Sequence, residues 1–85
     1  MQHYRQIFER TASLAGLLCA GYEELRIRDH IPDPNAWAAF CREFCAALEP
    51  VCSTVTASEL DYFWSTNRTF RELLEYVRVT CDPPR

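Results

Sequence analysis

Glycine is scarce in this chain. Only Gly16 and Gly21 occur, and an all-β domain needs more such residues for its tight turns. The shortage also excludes a glycine-rich phosphate loop. Lysine is absent, and all nine basic residues are arginine. Against twelve acidic residues they leave a net charge of −3. The positive field typical of nucleic-acid and anionic-membrane binders is therefore missing, and neither is expected as a partner. No apolar run approaches the ~18–20 residues of a membrane span.

The sequence also lacks catalytic signatures. No G-x-S-x-G, H-E-x-x-H, G-x-x-x-x-G-K-[ST] or G-x-G-x-x-G pattern occurs. His3 and His30 have no cysteine or carboxylate at nucleophile–base spacing. The expectation is a protein that is not an enzyme and holds no cofactor. The apolar stretch 12–21 is short for a signal peptide, Glu9 interrupts its basic flank, and no small-x-small cleavage site follows. Leu18 stands where a lipoprotein box would want a small residue before Cys19.

What is present reads as helix. The 85 residues are 48% hydrophobic and 25% charged, ordinary values for one globular domain spanning residues 1–85. Tyr4, Ile7, Thr11, Leu14, Leu18, Tyr22 and Leu25 follow the spacing of one helical face. They predict a first helix from about Gln2 to Arg28, roughly 40 Å long. Within it, Ala12, Gly16 and Ala20 form a small-residue stripe that close packing would explain. The prolines of Asp29–Pro34 break that helix, and Asp33-Pro34 reads as an N-cap followed by proline in the first turn. Trp37, Phe40, Cys41, Phe44, Leu48, Val51 and Cys52 line the second helix, which ends or kinks before Pro50. Thr56-Ala57-Ser58-Glu59 fits a capping box at the start of the third. Leu60, Phe63, Phe70, Leu74, Val77 and Cys81 continue its face, and Ser65-Thr66-Asn67 leaves open one long helix or two short ones. The expected architecture is an all-α, antiparallel three-helix bundle, or four helices if the third breaks.

Five cysteines leave at least one unpaired within the chain. On helical segments cysteine acts as a small buried hydrophobe, so free thiols and a cytoplasmic location are expected. Cys41 and Cys45 share a helical face with Cys52 beyond, which keeps a metal- or redox-responsive role as the alternative function. Arg68, Arg71 and Arg78 make a weak basic line interleaved with Glu72 and Glu75. Leu60, Tyr62, Phe63 and Trp64 cover most of a helix circumference, so Tyr62 or Trp64 should be left outside. Leu14, Leu17 and Leu18 add an apolar surplus on the first helix. The reading is a regulatory protein-interaction module that sequesters or inhibits a larger protein, as an anti-activator, immunity protein or chaperone does. A homodimer is expected as well. Its candidate binding residues are Leu17, Leu18, Tyr22, Tyr62, Trp64, Arg68 and Arg71.

Overall fold

The computed structural model describes residues 4–81. The chain forms α1 (Tyr4–Leu14), a 3-10 turn (Tyr22–Glu24), a one-turn α2 (Ile27–His30), α3 (Pro34–Leu48), α4 (Ala57–Ser65) and α5 (Phe70–Cys81). No strand occurs among the described residues; an isolated antiparallel bridge joins Arg26 to Thr69. α1 packs on α3 and α3 on α4, while α5 closes against the 3-10 turn, α1 and α4. The all-α expectation holds, but the three-helix detail does not: five helices occur among the described residues.

The first correction is at Gly16. The expected long helix stops at Leu14 because Gly16 adopts φ +73°. Its amide donates to the Ser13 carbonyl (3.0 Å) and the Leu17 amide to the Ala12 carbonyl (2.8 Å). This is a Schellman motif with glycine at the left-handed position. The supposed small-residue seam is thus a helix stop, and nothing lies within 4 Å of a methyl built on Gly16 or Gly21. Chain reversal buries Ile7, Thr11 and Tyr22 from the expected stripe, but leaves Leu14 80%, Leu18 40% and Leu25 37% exposed. The Thr11 hydroxyl is satisfied by the Ile7 carbonyl at 2.9 Å.

The second break is at Asn67, φ +53°. The Asn67 amide donates to the Trp64 carbonyl (3.0 Å) and the Arg68 amide to the Phe63 carbonyl (2.9 Å), a second Schellman closure. α5 then starts on a reciprocal capping box. Thr69 Oγ1 accepts from the Glu72 amide, and Glu72 Oε1 accepts from the Thr69 amide, both at 3.3 Å. The other boundaries follow expectation. Asp33 accepts from the Asn35 amide at 3.0 Å with Pro34 in the first turn, and α3 ends at Leu48 ahead of Pro50. Thr56 caps α4 by accepting from the Glu59 amide at 3.3 Å.

The core is aromatic. Phe8 stacks on Tyr22 (centroids 5.8 Å) and meets Phe40, Phe44 and Phe70 edge-on at 5.4, 5.2 and 5.9 Å. Trp37, Leu48, Leu60, Leu73 and Val77 are fully buried around it. Cys52 and Cys81 are paired in a disulfide joining the segment after α3 to the end of α5. The expectation of free thiols is corrected for these two, while Cys19, Cys41 and Cys45 remain free. No helix among the described residues is long and apolar enough to cross a membrane.

Two outcomes follow. Gly16→Ala would gain about 1 kcal/mol if the site were helical; at φ +73° it should instead cost about 1–2 kcal/mol. Urea unfolding of the variant reads the sign. Reducing the disulfide, which closes a span of 29 residues, should lower the unfolding free energy by about 3–4 kcal/mol, measured by unfolding with and without reductant.

Candidate functional site

The seven residues singled out from sequence do not form one surface. Tyr22 is 7% exposed, and its ring sits between Phe8 and Phe70. Its hydroxyl donates to Glu9 Oε2 at 3.1 Å. Burial first, and then the Glu9 carboxylate, push its pKa up to about 12. Tyr22 is therefore a core residue with its polar tip at the rim. Leu17 is half-buried against the core, held there by the turn at Gly16, while Leu18 remains exposed. The His30 ring nitrogen Nε2 lies 2.8 Å from the Leu17 carbonyl and ties this loop to α2. His3 lies outside the described residues.

Tyr62 and Trp64 separate as the crowding on α4 requires. Tyr62 is 53% exposed. Trp64 tucks beneath the proline segment, its indole N–H donating to the Ile31 carbonyl at 2.7 Å, and the Arg28 guanidinium covers its ring at 5.6 Å. Arg71 does not pair with Glu75 along its own helix. It reaches Glu24 and Glu23 on the 3-10 turn, and Arg5 of α1 also meets Glu23. Glu75 pairs with Arg78 instead. Arg71 thus closes an ionic network joining α1, the 3-10 turn and α5. Arg68 bonds Glu72 at 2.8 Å, which raises its pKa, with Tyr62 adding to the effect.

Three features escaped the sequence reading. The first is a groove of about 310 Å³ between α1 and the end of α3, lined by Ile7, Arg10, Thr11, Leu14, Ala47, Pro50 and Val51. Leu14 (80% exposed) and Val51 (47%) stand open at it. The apolar surplus at Leu14 was visible, but its meeting with Val51 depends on where each helix stops. The second is a knot around Asn67. Its Oδ1 accepts from the Arg28 amide at 3.2 Å and its Nδ2 donates to Asp29 at 3.3 Å. Its carbonyl accepts from Arg26 at 2.9 Å. Backbone bonds from Ile27 to the Arg68 carbonyl (2.8 Å) and from Phe70 to the Leu25 carbonyl (3.1 Å) complete it. Asn67 also heads the Asn-Arg-Thr sequon, so its side-chain nitrogen is engaged inside the fold. The third is the pairing of Cys52, which takes one of the three thiols of the alternative reading.

Cys41 is 2% exposed and Cys45 half-buried. Burial pushes the Cys41 thiol up to about 12, with Cys45 and Asp61 adding to it, and burial raises Cys45 as well. Both are held as neutral thiols. Cys19 is free and exposed. No group of three or more His, Cys, Asp or Glu side chains able to hold a metal ion occurs among the described residues. Comparison with known proteins finds no match: no family model, no curated protein and no solved structure resembles this chain.

The titrating groups set an alkaline limit. Tyr22, Tyr76 and Cys41 keep their protons to about 12 in the fold, but release them near 10, 10 and 9 when unfolded. The unfolded chain then binds fewer protons than the folded one, so stability should fall as pH rises from about 9 to about 12. Melting temperatures measured across that window should decline. Below it, a thiol reagent should modify Cys19 rapidly and leave Cys41 intact.

Proposed function

We propose that this chain is a small helical protein-interaction module that works by binding another protein, in the manner of a regulator that sequesters or inhibits it. The observation that carries the reading is the α1–α3 groove. Leu14 and Val51 face solvent beside Pro50, Ile7 and Ala47, although the same chain buries seventeen hydrophobic residues in its core. Scattered exposed apolar side chains are ordinary, whereas several converging on one concave site suit the apolar anchor of a partner helix. Arg10 at the rim can orient such a partner. A second copy of the chain is the first occupant to test. A domain of this size has a thin stability margin, which dimerisation would widen.

Light scattering across a dilution series should show a mass that falls towards the monomer on dilution. Leu14→Glu should shift it to monomer while the circular dichroism spectrum is unchanged. A wild-type monomer at every concentration would remove self-association. Affinity capture with wild type and Leu14→Glu as paired baits then decides the rest. A protein retained by the first and lost by the second supports the reading; identical captures would end it.

A further inference from the structure

The Asn67 knot gathers cations that the fold itself does not neutralise. Arg26 and Arg28 flank buried Ile27 and are both exposed. Arg26 donates to the Asn67 carbonyl at 2.9 Å, and Arg28 to the Ser65 carbonyl at 3.3 Å. Neither has a carboxylate partner within 4.0 Å among the described residues, whereas Arg5, Arg68, Arg71 and Arg78 all do. Of the two nearby carboxylates, Glu72 is paired with another cation and Asp29 is turned to the Asn67 amide. Glu72 takes Arg68 at 2.8 Å and the Thr69 amide at 3.3 Å, and Asp29 accepts from Asn67 Nδ2 at 3.3 Å.

The guanidinium groups are also held in place. Arg28 lies over the Trp64 ring at 5.6 Å, and that ring is fixed by its bond to the Ile31 carbonyl at 2.7 Å. Both arginines converge on one short turn, 65–69, which two Schellman-type bonds and a capping box make rigid. One carbonyl leaves most N–H donors of each guanidinium open to an incoming carboxylate. Pre-ordered donors lose less side-chain freedom on binding. Tyr62, 53% exposed, lies in the last turns of α4 just before this turn and interacts with Arg68. Tyrosine and arginine are both enriched at the energetic centres of protein interfaces.

We infer that Arg26 and Arg28, bonded to the 65–69 turn, with exposed Tyr62 on the preceding end of α4, form a docking site for an acidic segment of a partner protein. The two guanidinium groups take its carboxylates, and the Tyr62 ring takes an adjoining apolar side chain. A protein segment fits better than nucleic acid. Two guanidinium groups on one short turn are too few for a phosphate backbone, whose affinity grows with each phosphate neutralised, and match a short run of carboxylates. This site rests on the interaction-module reading, which it deepens by naming the chemistry of one partner surface.

The test is fluorescence anisotropy of a labelled peptide alternating glutamate with phenylalanine, titrated with the whole chain at low and at about physiological salt. Saturable binding that weakens with salt is expected. Arg26→Glu and Tyr62→Ser should each weaken it by about tenfold, the cost of losing one charge-assisted contact or anchor. Arg28→Glu should do the same if circular dichroism shows the fold kept; if that variant unfolds, the other two decide. Leu14→Glu should leave peptide affinity unchanged. Absence of saturable binding, or binding that survives Arg26→Glu and Tyr62→Ser together, overturns the site. So does tighter binding of a single-stranded DNA oligonucleotide with the same losses. If the peptide fails while Leu14→Glu still abolishes protein association, this site falls and the interaction-module reading stands. If both fail, both fall.

Discussion

Phe8 is the contact on which the rest of the structure depends. One ring from α1 touches the 3-10 turn through Tyr22, α3 through Phe40 and Phe44, and α5 through Phe70. Burial of such a ring contributes about 1.5–3 kcal/mol. Each well-oriented aromatic neighbour adds about 0.5–1.5 kcal/mol beyond the area it buries. Phe70 matches it in reach, meeting Phe8 of α1, Tyr22 of the 3-10 turn and His30 of α2, but Phe8 alone ties these to α3. The consequence is geometric. α1 must lie across α3 with Phe8 inward, and the chain after α1 must then return to place Tyr22 on the far side of that ring. A straight helix continuing past Leu14 would carry Tyr22 away from Phe8 at 1.5 Å per residue. The fold therefore needs a reversal soon after Leu14, and Gly16 supplies it.

Much of this was legible, and the failures share one cause. The periodic faces of α3 and α5 and the caps at Asp33 and Thr56 are local signals, and local geometry realises them. The hydrophobic stripe of the first segment was misread because Tyr4, Ile7, Thr11, Tyr22 and Leu25 keep helical spacing across a stop. Phase alone cannot show that the chain has turned between Thr11 and Tyr22. Gly16 carried the information, since a glycine followed by an apolar residue is the usual helix-closing pair. Its helical cost had been assigned to packing instead. The break at Asn67 was half-seen for a sound reason, the competition of Ser, Thr and Asn with the backbone. The Thr69–Glu72 capping box beside it was in plain view, with the same spacing as the Thr56–Glu59 box that was recognised.

The candidate surface was legible only where crowding alone decides. Four large side chains in five consecutive positions of α4 cannot all be buried, and Tyr62 is the one left out. Which of Tyr62 and Trp64 would be covered depended on the proline segment, a long-range fact: Ile31 offers a carbonyl and Arg28 a cation to the indole. Arg71 was read against its neighbour in sequence and is held by its neighbours in space, Glu23 and Glu24. Exposed pairs of this kind contribute about 0–1 kcal/mol each, so the network serves position more than stability. Cysteine pairing failed for the same reason, because residues 52 and 81 meet only after α3, α4 and α5 have packed.

The two surfaces proposed for binding are products of the two left-handed residues. Gly16, two residues past Leu14, stops α1 there, and the Schellman closure turns Leu17 inward in its place. Leu14 is left at the helix end with no turn to cover it, directly across from the end of α3, where Pro50 prevents another turn and leaves Val51 open. The groove is thus the gap between two helix stops. Asn67 does the corresponding work at α4. Its positive φ reverses the chain, its side chain takes the Arg28 amide, and its carbonyl takes the Arg26 side chain. A glycine there would reverse the chain equally well but could not hold Arg28 and Asp29 through its side chain. An asparagine at this position therefore serves two ends at once, closing a helix and setting the direction of the arginines beside it.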